Sequence, residues 1–136
     1  MLLAVDVGNT NIVLGVIDGE ELVSSGRVST NIYETEDECA MKIYSFLNLH
    51  NNIQIDGAII SSVVPALVTT LKKAIYTVCK VNAIVVGPGI KTGLSIKIDD
   101  PAQLGADLVV GAVAAKEKYP QPTIIFDLGT ATTGSV

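Results

Sequence analysis

Apolar residues fill positions 2–5, and the run breaks at Asp6-Val7-Gly8-Asn9-Thr10. Apolar character returns over residues 11–17 and stops at Asp18-Gly19, a pair suited to a tight hairpin turn. Residues 21–29 alternate loosely between apolar and polar, as a half-buried strand does. The first thirty residues therefore predict a three-stranded antiparallel meander.

The period then changes. Thr35-Glu36-Asp37-Glu38 has the form of a capping box with Thr35 as N-cap. Ala40, Ile43, Tyr44 and Leu47 follow at helical spacing, predicting a helix to about residue 49. Residues 57–61 read as a buried strand, and Pro65 suits the first turn of a second helix running to about Lys80. Residues 83–86 form another buried strand, stopped by Gly87-Pro88-Gly89. A loop over 87–100 follows, with a short strand at 94–98. Asp100 as N-cap and Pro101 at the first helical position predict a third helix. Its apolar face holds Leu104, Leu108, Ala112 and Ala115, and Tyr119-Pro120-Gln121-Pro122 ends it. Residues 123–126 make a last strand, running into Asp127-Leu128-Gly129-Thr130. Hairpin-linked strands pair antiparallel and helix-linked strands parallel. The prediction is an α/β fold with a mixed five-stranded sheet, three strands antiparallel and two parallel, and helices on both faces.

Composition narrows this picture. At 136 residues the chain is about one domain long, and 49% hydrophobic against 17% charged residues supports a packed core. With 4% aromatics and no Trp, that core must be Val, Ile, Leu and Ala, as in covered parallel sheets. A net charge of −5 without a Lys/Arg cluster argues against nucleic acid as a partner. It leaves nucleotides open, because backbone N–H groups and a metal can hold phosphates. Cys39 and Cys79 lack metal-ligand spacing and read as reduced, buried thiols. His50 sits in a polar stretch at an expected helix end. The longest apolar stretch, around 108–115, is too short to cross a bilayer, and no signal-peptide pattern opens the chain. A soluble cytoplasmic protein, with no membrane partner, is expected.

An internal repeat carries the chemistry. Ala4-Val5-Asp6-Val7-Gly8-Asn9-Thr10 and Ile125-Phe126-Asp127-Leu128-Gly129-Thr130-Ala131 share an apolar strand, Asp-x-Gly, and then small hydroxyl or amide residues. The aspartates lie about one domain length apart. A strand delivers the carboxylate to its C-terminal end. Glycine lets backbone N–H groups approach a phosphate, and Asn or Thr adds a donor. A single Asp-x-Gly reads as an ordinary hairpin turn. Two copies, each directly after a strand, point to a pair of phosphate loops.

Three more segments join these two: Ser61-Ser62-Val63-Val64-Pro65, Gly87-Pro88-Gly89-Ile90-Lys91-Thr92-Gly93-Leu94 and Gly105-Ala106-Asp107. Together, in this order, they resemble the type III pantothenate kinases over the whole chain. The resemblance implies an actin-like ATPase (ribonuclease H-like) fold. It implies a homodimeric enzyme that moves the γ-phosphoryl of ATP to the hydroxyl of pantothenate, the first step of coenzyme A synthesis. Asp6, Val7, Gly8, Asn9, Thr10, Asn11, Ile12 and Val13 would form the first phosphate loop, with Asp6 at Mg2+. Gly129 and Thr130 would contact ATP. Gly105, Ala106, Asp107 and Leu108 would meet pantothenate, with Asp107 as general base. Asp127 would hold a monovalent cation, K+ or NH4+. These roles suit phosphoryl transfer, which needs positioning and charge neutralisation. From position alone, Asp107 reads equally as a solvated carboxylate, Lys91 as an exposed loop lysine, and Gly87-Pro88-Gly89 as a strand stop.

The pattern departs from the family on the acceptor side. Leu108 stands where the family usually has Arg, which can bind a carboxylate bidentately. Ile98-Asp99-Asp100-Pro101 stands where the family has Tyr-x-Asn-Pro. Two other readings therefore stay open: a nucleotide-binding inactive paralogue or regulator, and a kinase of the same fold for another small alcohol. Residues 1–121 are expected to be a first actin-like domain. Residues 122–136 would be the opening strand and phosphate loop of a second, as in a fragment of a longer gene product.

Overall fold

The computed structural model describes residues 1–50, 53–87, 90–97, 104–119, 122–128 and 132–135. The chain divides into two compact units, Met1–Val85 and Val86–Val136.

The first unit is built on one mixed sheet. Strands β1 (Leu2–Val7), β2 (Asn11–Asp18), β3 (Glu21–Ser29), β4 (Gly57–Ser62) and β5 (Ala83–Val85) lie in the order β3-β2-β1-β4-β5. The β1–β2 and β2–β3 pairs are antiparallel, and β1–β4 and β4–β5 are parallel. This is the predicted α/β sheet, consistent with an actin-like fold.

Alternation along β1 sets the core. Leu3, Val5 and Val7 are at most 2% exposed. They sit in register with Val16, Leu14 and Ile12 of β2, and Leu3 and Val5 also with Ala58 and Ile60 of β4. Helices α1 (Glu36–Leu49) and α2 (Pro65–Cys79) cover this layer with Ile43, Phe46 and Leu47, and with Leu67, Leu71 and Ile75. Each such side chain contributes about 1.5–3 kcal/mol by leaving water.

The local signals at the ends of α1 and α2 are in place. The Thr35 side chain accepts from the Glu38 N–H at 3.3 Å, and Glu38 Oε2 accepts from the Thr35 N–H at 2.8 Å. The Thr35 bonds hold the Glu38 carboxyl below its ordinary value. Pro65 opens α2, and Lys80 closes it in the left-handed region with φ 60°. Tyr44 is a correction: it is 59% exposed, and Phe46 takes the core position expected of it. In this packed geometry the buried stripe runs through Cys39, Ala40, Ile43, Phe46 and Leu47.

The second unit holds α3 (Ala106–Lys118), β6 (Ile125–Leu128) and β7 (Thr132–Ser135). The helix starts later than predicted, with Gly105 as an extended N-cap (φ −59°, ψ 142°). Glycine resists helix propagation because it loses the most backbone entropy. Asp100 and Pro101 lie outside the described residues. Residues 94–97 are not a strand; no strand among the described residues pairs with them. The strand predicted over 123–126 is β6, which begins at Ile125, so Asp127 lies within it, in register with Thr133 of β7.

Gly26 of β3 shows how closely α1 approaches. A Cβ there would lie 2.8 Å from Cδ2 and 2.9 Å from Cε2 of the buried Phe46 ring. Gly26→Ala is expected to cost about 1–3 kcal/mol, and Phe46→Leu in the same chain should recover part of it. Urea midpoints of the full-length protein check this. Thr35→Ala should cost about 1 kcal/mol at neutral pH. Because the Glu38 pKa is lowered in the fold, its stabilisation is present above the ordinary carboxyl value. It is lost as pH falls through the lowered one, so the gap between Thr35→Ala and the unaltered protein should narrow on acidification, as read by thermal unfolding.

Candidate functional site

In the first unit the chemistry gathers where β1 ends. Val5 and Val7 point into the core, so the period of two turns Asp6 to the opposite face, where it is exposed. Asp6 is in register with Val13 of β2 and Ser61 of β4. No residue among those described hydrogen-bonds or ion-pairs with its carboxylate.

The turn that follows is anchored at its ends and open in its middle. The Gly8 N–H donates to the Asn11 carbonyl at 2.9 Å. Thr30 Oγ1 donates to the Gly8 carbonyl at 2.7 Å, and the Thr30 N–H to the Thr10 carbonyl at 2.9 Å. The N–H groups of Asn9 and Thr10 have no partner among the described residues. Both side chains are exposed. Two free N–H groups beside an open carboxylate suit a phosphate bridged by a cation. A Cβ at Gly8 would sit 3.2 Å from the Asn11 carbonyl oxygen, so the residue is also tight on space. Asn11, Ile12 and Val13 follow as the start of β2, with Ile12 in the core.

Beside Asp6 lies a residue whose role the sequence did not reveal. Ser61 is 7% exposed, and its Oγ has no hydrogen-bond partner among the described residues. Ser62, its neighbour, is used structurally: Oγ accepts from the Val64 N–H at 3.0 Å, holding the turn into α2. Only the place of Ser61 in the segment Ser61-Ser62-Val63-Val64-Pro65 at a strand end could have marked it.

In the second unit, Gly105 to Leu108 form the start of α3. Asp107 is exposed in the first turn, and its Oδ1 accepts from the Leu108 N–H at 2.9 Å. Its Oδ2 has no partner among the described residues, and neither do the Ala106 and Asp107 N–H groups. This helix end can therefore receive a proton at one oxygen and an anion at its N–H groups. Leu108 is half-buried. Asp127 is exposed on β6, while Gly129 and Thr130 lie outside the described residues. Lys91 is exposed, in keeping with a loop lysine. No group of three or more His, Cys, Asp or Glu that could hold a metal is found among the described residues. Cations here would depend on single carboxylates and on the phosphates themselves, as Mg2+ commonly does.

A groove of about 530 Å3 between β3 and α1, lined by Arg27, Met41, Phe46 and Leu49 among others, contains none of these residues. The nearby Glu34 carboxylate pairs with Lys42 and accepts from Cys39 Sγ at 3.5 Å. Burial, and then that Glu34 bond, push the Cys39 thiol up to about 11. Thiolate chemistry is thereby disfavoured at neutral pH.

A family model described as type III pantothenate kinase matches residues 2–136. The chain is 52% identical over 136 residues to a type III pantothenate kinase of Geobacillus sp. (strain WCH70), covering 98% of this chain and 52% of that protein. It is 48% identical over 136 residues to a type III pantothenate kinase of Exiguobacterium sp. (strain ATCC BAA-1283 / AT1b), covering 98% of this chain and 53% of that one. The chain thus spans about half the length of the curated relatives it matches.

Thr30→Val removes the side-chain bond to Gly8 while keeping shape. It should cost about 1 kcal/mol and speed amide exchange at Gly8, read by hydrogen–deuterium exchange. Unchanged exchange would show that the turn does not depend on Thr30.

Proposed function

The chain belongs to the type III pantothenate kinase family, and from that membership we propose that the whole protein transfers the γ-phosphoryl of ATP to the hydroxyl of pantothenate, opening coenzyme A synthesis. The observation that carries this reading is the β1 turn, with an exposed Asp6 followed by two N–H groups unpartnered among the described residues. Residues 6–13 hold the nucleotide phosphates, together with Gly129 and Thr130. Asp6 is the carboxylate for Mg2+, which when bound neutralises charge building on the phosphates. Asp127, exposed and unpaired among the described residues, offers hard oxygen donors for K+ or NH4+. A chain of net charge −5 has need of both cations to accept a polyanion.

On the acceptor side, Gly105, Ala106, Asp107 and Leu108 bind pantothenate. The Leu108 N–H fixes Asp107 through Oδ1, leaving Oδ2 to accept the hydroxyl proton as the oxygen attacks phosphorus. The N–H groups at the start of α3, unpartnered among the described residues, favour an anionic acceptor. We further propose a cytoplasmic homodimer, with residues 122–136 opening a second domain. Two free thiols fit a reducing compartment, and no described helix is long and apolar enough to cross a membrane.

Leu108 favours a second reading on one point. A half-buried leucine cannot make the charged fork that the family's usual Arg makes, so another small alcohol is the rival acceptor.

Coupled ATP turnover by the full-length protein, with Mg2+ and K+, with and without pantothenate, tests the proposal. Pantothenate should stimulate turnover, and Asp107→Asn should reduce it by about 10²- to 10⁴-fold. Nucleotide binding without pantothenate-dependent turnover would contradict it. If pantothenate is the acceptor, Leu108→Arg should lower its KM with little change in kcat. An unchanged KM would favour the other alcohol.

A further inference from the structure

Ser61 is in register with Asp6. Residues paired on adjacent strands project to one face, with the strands about 4.8 Å apart. The Ser61 hydroxyl and the Asp6 carboxylate therefore share a face at the C-terminal ends of two parallel strands. That end of β4 is fixed in place, because the Val63 N–H donates to the Val7 carbonyl at 3.0 Å. The Ser62 hydroxyl is taken up by the turn into α2.

Ser61 Oγ, by contrast, is buried and unpartnered among the described residues. A buried hydroxyl without a partner is a net cost to the fold, and alanine would fill the same space without that cost. The other such hydroxyl among the described residues, Ser24, is in register with Val16 on the core side of the sheet. Only Ser61 is paired with an open carboxylate.

Magnesium keeps several of its waters and is bound through one or two carboxylates plus phosphate oxygens. Those waters need hydrogen-bond partners, and partners of this kind usually decide how well a metal is held. Asp6 alone offers few. Resting on the kinase reading above, we propose that Ser61 is a binding residue for the hydrated divalent cation carried with the nucleotide phosphates. Its Oγ would accept from a water carried by the cation beside Asp6. The hydroxyl that the fold leaves unpaired is paired when the metal–nucleotide arrives.

The test is calorimetric titration of the full-length protein and of Ser61→Ala with a non-hydrolysable ATP analogue, in Mg2+ and in EDTA, beside urea unfolding. Ser61→Ala should weaken Mg2+-dependent binding about five- to twentyfold. It should leave binding in EDTA unchanged and should not lower the urea midpoint. Equal affinity in Mg2+ would overturn the proposal. So would a lowered midpoint with equal losses in Mg2+ and EDTA, which would assign the hydroxyl a structural bond. If the unaltered protein binds the analogue with no dependence on Mg2+, the kinase reading falls and this proposal falls with it. A Mg2+-dependent unaltered protein beside an indifferent Ser61→Ala would overturn the Ser61 role alone.

Discussion

The alternation of side chains along β1 is the constraint on which the first unit depends. Leu3, Val5 and Val7 are driven into the core by apolar burial, and the same period leaves Asp6 no choice but the other face. A register slip of one residue would bury the carboxylate and expose three core side chains. Stability and site geometry are thus set by one strand, held on both sides by β2 and β4. Removing the Asp6 charge need not disturb the core, whereas moving Val5 or Val7 would disturb both.

The Asp-x-Gly sequence recurs at the second hairpin. Asp127, like Asp6, is the penultimate residue of its strand and lies in an antiparallel hairpin. A chain carrying net charge −5 is poorly suited to polyphosphate unless donors and cations offset the repulsion. The first turn and the start of α3 each carry N–H groups unpartnered among the described residues, with a carboxylate nearby. The thiols take no part: Cys39 is buried against Glu34 and Cys79 is half-buried, its thiol raised by burial.

Strong local signals were the most legible in the sequence. The capping box at Thr35 and Glu38, Pro65 at the head of α2 and the three-stranded meander follow from local chemistry and are all present. Errors arose where packing or backbone entropy decided instead. Tyr44 fits a helical period as well as Phe46 does, but only Phe46 meets the space left by Gly26. Gly105 delays α3, which a proline-based start signal does not anticipate. Residues 94–97 alternate in burial like a strand yet find no pairing partner among the described residues. For the site, Asp-x-Gly motifs disclosed where carboxylates would stand. Ser61 stands in a legible motif, but its unpaired hydroxyl is a property of the folded sheet.

The central claim is that the end of β1 is where metal and phosphate are held. Mg2+-dependent binding of a non-hydrolysable ATP analogue to full-length Asp6→Asn tests it most directly. The account predicts loss of the Mg2+-dependent part of the affinity with an unchanged urea midpoint, since Asp6 is exposed and unpaired among the described residues. Mg2+-dependent binding as tight as in the unaltered protein would contradict it.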